Sequence, residues 1–227
     1  MCAIIGFSKR SIEKQQALAM QRRTASRGPD MERFTEAGEG WLGFQRLSIM
    51  GLEEAGMQPF SLNGNMVVCN GEIYGFRKLR KELEQRGYHF QSGSDCELLL
   101  PLYQEYGLSM FSLLDAEYAL ILYDAQRGSL VAARDPIGIR PLYYGYLPDG
   151  SIVFASEAKN LTGACARIEP FPPGHYYADG KFTCYCDITA VGRRVSGSLD
   201  EICRNIREKL IAGIEKRLDS DAPLGFL

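Results

Sequence analysis

A chain with a cysteine at position 2 and an apolar run directly behind it has little freedom over where its beginning can go. Ala3-Ile4-Ile5-Gly6-Phe7 reads as a buried strand. A strand of this kind holds the terminus rigidly, where a frayed end could do no chemistry. With Met1 removed, Cys2 would carry a thiol and a free α-amino group on one residue. The thiolate is the nucleophile. An α-amine with a reference pKa of about 7.7–8.0 is partly neutral at cellular pH and can take a proton. Taken alone, position 2 reads as a small residue that happens to be cysteine, and the rest of the chain has to change that reading.

The 227 residues are 45% hydrophobic and 24% charged, enough for one large domain or one and a half. A net charge of −2 gives no electrostatic reason to expect nucleic acid or a membrane surface as partner. No apolar run reaches membrane-helix length, and no basic segment followed by an apolar run opens the chain. A cytoplasmic protein is therefore expected, with Cys2, Cys69, Cys96, Cys165, Cys184, Cys186 and Cys203 as reduced thiols.

Along the chain, a helix is expected over 11–23 with Ser11 as N-cap and Ile12, Gln16, Ala19 and Arg23 on one side. A Gly-Pro loop spans 24–30. A strand is expected over 41–50, and a short one over 66–69 that runs into Asn70-Gly71-Glu72. Helices follow over 75–86, ending at Gly87, and over 94–106, capped by Ser94. Strand pairs are expected over 117–123 with 129–134, and over 142–147 with 151–155. Short β pieces fall within 166–187. A linker over 191–197 precedes a helix whose capping box is Ser198-Leu199-Asp200-Glu201. Its stripe of Leu199, Ile202, Ile206, Leu210, Ile214 and Leu218 is apolar.

Several groups suit chemistry. A side-chain amide beside a glycine N–H, as at Asn70-Gly71, can donate to a developing oxyanion; a plain Asn-Gly turn is the alternative. Arg46 lies in an otherwise apolar strand and needs an anion, either a bound carboxylate or a buried Asp or Glu. Asp95 could hold an ammonium group or simply favour its helix dipole. The turn Arg134 to Pro141 reads as a buttress. A Cys-His hydrolase would need His89 or His175 beside a cysteine, which no spacing suggests. Cys184-Tyr185-Cys186 lacks a second pair for zinc, and no phosphate-loop or dinucleotide fingerprint occurs.

The motifs occur in one order: Met-Cys and strand, Arg-Gly-Pro-Asp, Arg-Leu-Ser-Ile, Asn-Gly-Glu-Ile-Tyr, Gly-Ser-Asp-Cys-Glu, Arg-Asp-Pro-Ile-Gly-Ile-Arg-Pro-Leu-Tyr, Ala-Ser-Glu. That order resembles the glutaminase domain of glutamine-dependent asparagine synthetases, class II amidotransferases of the N-terminal-nucleophile hydrolase fold. The resemblance implies an α+β fold of four α/β/β/α layers, two antiparallel sheets face to face with helices outside. It implies glutamine as substrate, Cys2 as nucleophile, its own amine as base, and Asn70 with the Gly71 N–H as oxyanion hole. Arg46 would bind the α-carboxylate, with Leu47, Ser48, Ile49 and Met50 along the same edge. Glu72 and Asp95 would hold the α-ammonium. Ser26, Gly75 and Phe44-Gln45 depart from the family's usual pattern, which leaves the final amide acceptor open.

By the same resemblance, residues 1–190 form the glutaminase domain and 191–227 the linker and first helix of a synthetase domain. Ser220 to Leu227 would lead into a pyrophosphate-binding loop, so the chain is expected to stop ahead of the synthetase half. No cofactor is expected for the glutaminase; ATP and Mg2+ belong to the absent half. The helix stripe would pack on that half, or pair with a copy of itself in a homodimer, or fold back. The tail is expected to be dispensable for glutamine hydrolysis. A non-catalytic glutamine-binding or regulatory domain and an amidotransferase half for another acceptor are the competing readings.

Overall fold

The computed structural model describes residues 1–192 and 194–225. Arg193 of the expected linker, and Phe226 and Leu227 of the expected 220–227 segment, lie outside the described residues. Among those described, two antiparallel six-stranded sheets stack face to face. The first sheet contains β1 (Ala3–Phe7), β2 (Met31–Ala37) and β3 (Gly40–Arg46). The second contains β4 (Phe60–Leu62), β5 (Asn65–Ile73), β6 (Ala116–Asp124) and β7 (Ser129–Arg134). β8 (Tyr143–Tyr146), β9 (Ile152–Ala155) and β10 (Ile168–Pro170) return to the first sheet, and β11 (His175–Ala178) and β12 (Lys181–Cys184) to the second. The strand orders are β10-β8-β9-β1-β3-β2 and β12-β11-β7-β6-β5-β4.

Strand alternation builds the layers, because successive side chains point to opposite faces. In β1, Ile4 faces the second sheet and packs with Val68, Ala119 and Ile121. Ile5 and Phe7 face outward, onto Ala17 and Met20 of α1 (Lys14–Arg22) and Leu161 of α4 (Ala158–Leu161). The sheets approach so closely that a Cβ on Gly6 would lie 2.8 Å from Ile121 Cγ2. On the far face of the second sheet, Val67, Leu120 and Val131 pack under α2 (Phe76–Gln85) and α3 (Leu99–Tyr106). The result is the expected order helix, sheet, sheet, helix.

Local expectations were corrected in four places. α1 starts at Lys14 with Glu13 at the N-cap, because the Ser11 hydroxyl is taken by Asp149 and Ser151. Its buried face is Ala17, Met20 and Gln21, while Gln16, Ala19 and Arg23 are exposed. β3 stops at Arg46, and 47–50 turns away. β5 runs straight through Asn70-Gly71-Glu72, so no Asn-Gly turn forms there. A 3₁₀ turn over Asp95–Leu98 precedes α3, and Ser94 makes no side-chain cap bond.

The helix α5 (Leu199–Lys216) is capped as read, Ser198 Oγ accepting from the Glu201 N–H at 3.3 Å. None of its residues is buried, and Leu199, Ile206 and Leu210 are largely exposed. The stripe therefore does not fold back on the sandwich. The segment after it does: Asp219 pairs with Arg77 at 2.8 Å, and the N–H groups of Asp221 and Ala222 both donate to the Ile49 carbonyl, at 3.2 and 3.1 Å.

Candidate active site

Cys2 stands one residue before β1, and the chain fixes it from several sides. Its carbonyl accepts from Arg27 Nε at 3.1 Å, and Arg27 is paired with Glu157 at 3.0 Å. Two residues on, Ile4 exchanges hydrogen bonds with Ser156, each 2.9 Å. The Leu47 N–H donates to Cys2 Sγ at 3.4 Å. Burial pushes the Cys2 thiol above its ordinary range, and the Leu47 amide only partly offsets this. The thiol therefore rests protonated and needs a base at the moment of attack. Burial also lowers the α-amine of Met1, which favours its neutral form.

β5 supplies the donors. The Cys69 N–H donates to Gln58 Oε1 at 2.6 Å and the Ile73 N–H to Asp95 Oδ2 at 2.7 Å, both away from β6. Antiparallel alternation turns the Gly71 N–H to that same edge, between them. A Cβ at Gly71 would lie 2.5 Å from the Glu117 carbonyl, so β5 and β6 close up here only around glycine. Asn70 is 2% exposed, and its Nδ2 finds no acceptor among the described residues. A buried donor without a partner is costly unless a ligand meets it.

Charged groups complete the cavity. Arg46 is 3% exposed and donates to the carbonyls of Met50 (3.3 Å), Gly51 and Glu53 (2.9 Å). Among the described residues no carboxylate lies within ion-pair distance of it. The buried Asp or Glu partner weighed from sequence is thus replaced by carbonyl oxygens, because the 47–53 loop wraps around the guanidinium. Asp95 is buried, and desolvation, reinforced by the charge of Glu72, raises its carboxyl to about 6. Glu72 is bonded to Arg140 at 3.0 Å, and Arg140 also to Glu117 at 2.6 Å.

These groups line one narrow cavity of about 40 Å³, with Met1 forming part of its wall. It gathers Cys2, Arg46, Asn70, Gly71, Glu72 and Asp95, together with Leu47, Ile49 and Met50. Ser48 does not line it; its N–H is held by Asp30 at 2.7 Å. Arg140, which sequence reasoning placed in a buttress, does line it. The buttress itself is real: Asp135 accepts from the N–H groups of Ile137 to Arg140 at 2.6–3.1 Å. Arg27 is the other residue missed, although its Arg-Gly-Pro-Asp motif was in view. His175 contacts the Pro173 carbonyl, sits opposite Cys184 across the β11–β12 ladder and lies outside the cavity, so it does not accompany Cys2. Among the described residues, no grouping of three or more His, Cys, Asp or Glu is arranged to hold a metal.

A glutamine amidotransferase domain model matches residues 1–179. The chain belongs to that family. The amidotransferase domain is 37% identical to a probable glutamine-hydrolysing asparagine synthetase of Dictyostelium discoideum, over 100% of this chain and 43% of the relative. It is 38% identical to a probable one of Schizosaccharomyces pombe, over 94% and 39%. The chain thus spans about four-tenths of these relatives' lengths. The solved glutamine phosphoribosylpyrophosphate amidotransferase of B. subtilis superposes with a TM-score of 0.65 at 20% identity, over 82% of this chain and 49% of that one. That likeness bears on the fold alone, two stacked sheets flanked by helices.

Proposed function

We propose that the domain hydrolyses the side-chain amide of glutamine to glutamate and ammonia. The observation that carries this reading is the meeting, in one cavity, of the Cys2 thiol with the unpartnered Asn70 Nδ2 and the edge-facing Gly71 N–H. With Met1 removed, the Cys2 amine takes the thiol proton as sulfur attacks the amide carbon. Asn70 and Gly71 donate to the oxyanion that forms. The amine then gives its proton to the leaving nitrogen, ammonia departs, and a γ-glutamyl thioester remains. Water attacks the thioester to release glutamate and restore the thiol.

Glutamine also brings a carboxylate and an ammonium. Among the described residues Arg46 is a buried cation offered carbonyl oxygens and the Met31 sulfur, and a carboxylate would neutralise it. Asp95 and Glu72 line the same cavity, the charge of Glu72 disfavours ionisation of Asp95, and an ammonium bound beside them would offset that repulsion. The likeness to asparagine synthetases supports a further step, in which the ammonia amidates an ATP-activated aspartate. ATP and Mg2+ would bind in a portion that this chain does not span, and the open face of α5 would pack against it. A cytoplasmic setting fits that role; among the described residues no helix is long and apolar enough to cross a membrane.

The test is a glutaminase assay on protein of measured N-terminal mass. Protein lacking Met1 should release glutamate, and Cys2→Ala or Met1-bearing protein should release none. Turnover by either inactive form would refute the assignment. A folded but inert Met1-free protein would favour a non-catalytic binding domain.

A further inference from the structure

We infer that residues 216–222 form a strap that holds the 47–53 loop in shape for glutamine, with Asp221 as its positioning residue. This rests on the glutamine reading above, in which that loop encloses the α-carboxylate site.

Three hydrogen bonds converge on the loop from outside. The N–H groups of Asp221 and Ala222 share the Ile49 carbonyl, and the Asp221 carboxylate accepts from the Gly51 N–H at 2.8 Å. From inside, Arg46 holds the carbonyls of Met50, Gly51 and Glu53. Gly51 is the hinge of this arrangement. Its φ is +54°, and a Cβ there would lie 2.5 Å from the Ser94 N, next to Asp95. The loop is therefore wedged between the Asp95 turn and the strap. A shift of Gly51 would move carbonyls that Arg46 needs and crowd Asp95 at once.

The strap has its own anchors. Arg77 takes Asp219 bidentately, at 2.8 to 3.2 Å, and reaches Asp221 at 3.5 Å. Lys216 pairs with Asp115. The Arg217 guanidinium stacks 4.6 Å from the Tyr74 ring centroid and lies 4.0 Å from Glu117, the carboxylate that shares Arg140 with Glu72. Each exposed pair is weak alone. Together they tie one short segment to α2 through Arg77 and to the Tyr74 and Glu117 side chains. The tail thus adjusts glutamine binding from outside the family match, which ends at 179.

The experiment uses the 227-residue, Met1-free chain and the variants Asp221→Ala, Asp221→Glu and Arg77→Ala. Asp221→Ala should raise the KM for glutamine about tenfold, the ratio expected for one lost charge-assisted hydrogen bond. Its kcat should stay within about twofold, since no reacting atom is touched. Asp221→Glu should recover part of the KM, and Arg77→Ala should raise it less. Backbone exchange at residues 49–51 should quicken in Asp221→Ala with an unchanged melting temperature. A KM within twofold of the parent, or a proportional fall in kcat and melting temperature, would overturn the strap. If the parent itself does not hydrolyse glutamine, the functional reading fails, and exchange at 49–51 decides the strap by itself: unchanged rates would end it.

Discussion

In the proposed function, Asp95 sets the pH range in which the pocket can hold an ammonium. Burial puts its folded pKa at about 6, above the ordinary carboxylate value. Below that pH it is protonated and neutral, and above it the carboxylate can pair with glutamine's ammonium. Glutamine affinity should therefore weaken as pH falls through about 6. Calorimetry on Met1-free Cys2→Ala isolates binding from chemistry. Adding Asp95→Asn should give weak binding with no inflection near that pH, and a persistent inflection would show that Asp95 is not the group responsible. The residues of the site were legible as types: a cysteine at position 2, an amide beside a glycine, a cation among apolar neighbours. Arg140 was not, because its partner Glu72 lies 68 positions away and only the folded 135–140 turn brings them together.

β5 shows what a strand adds to a motif. Its alternation decides that Cys69, Gly71 and Ile73 offer their N–H groups to the cavity edge while Asn70 bonds with β6. A methyl at Gly71 would meet the Glu117 carbonyl and the Tyr118 backbone, none of which can swing aside. Gly71→Ala should cost about 1–3 kcal/mol of stability, as overpacking does, and lower kcat by displacing the donor. Denaturant midpoints and steady-state kinetics check this; parent-like values in both would mean that the strands part easily. Elements with strong patterns, such as β1 and α5, were readable in the sequence. β2 was not, since Met31-Glu32-Arg33-Phe34-Thr35-Glu36-Ala37 is a half-exposed edge strand rich in charge. The start of α1 was misplaced because Ser11 is claimed by residues near 150, a choice no local rule can see.

At the scale of the whole molecule, the open stripe of α5 is a row of exposed apolar residues on one helix face. Ile206 and Leu210 are more than 60% exposed, and such a patch seeks a partner. For the 227-residue chain we propose a second copy as that partner. Light scattering should show mass rising with concentration, and Ile206→Glu with Leu210→Glu should abolish the rise without changing turnover. A constant mass in the parent would exclude self-association through this face. The layered sandwich was legible only through the family resemblance that the motif order carries; strand and helix periods placed its single elements. The strap did not, because Asp219 and Asp221 look like ordinary solvated acids until Arg77 and Gly51 are placed beside them.

The position of β1 has a consequence for how such a domain can be joined to others. The strand is paired on both sides, by β3 and β9, and its reacting residue adjoins its first residue. Under the proposed mechanism, any uncleaved peptide upstream would turn the Cys2 amine into an amide and place a chain at the cavity that Met1 lines. Affinity handles, reporters and evolutionary fusion partners alike have to be spliced on downstream of the sandwich. If Cys2 acts as proposed, an extension that stays attached leaves the amine free only when it lies downstream.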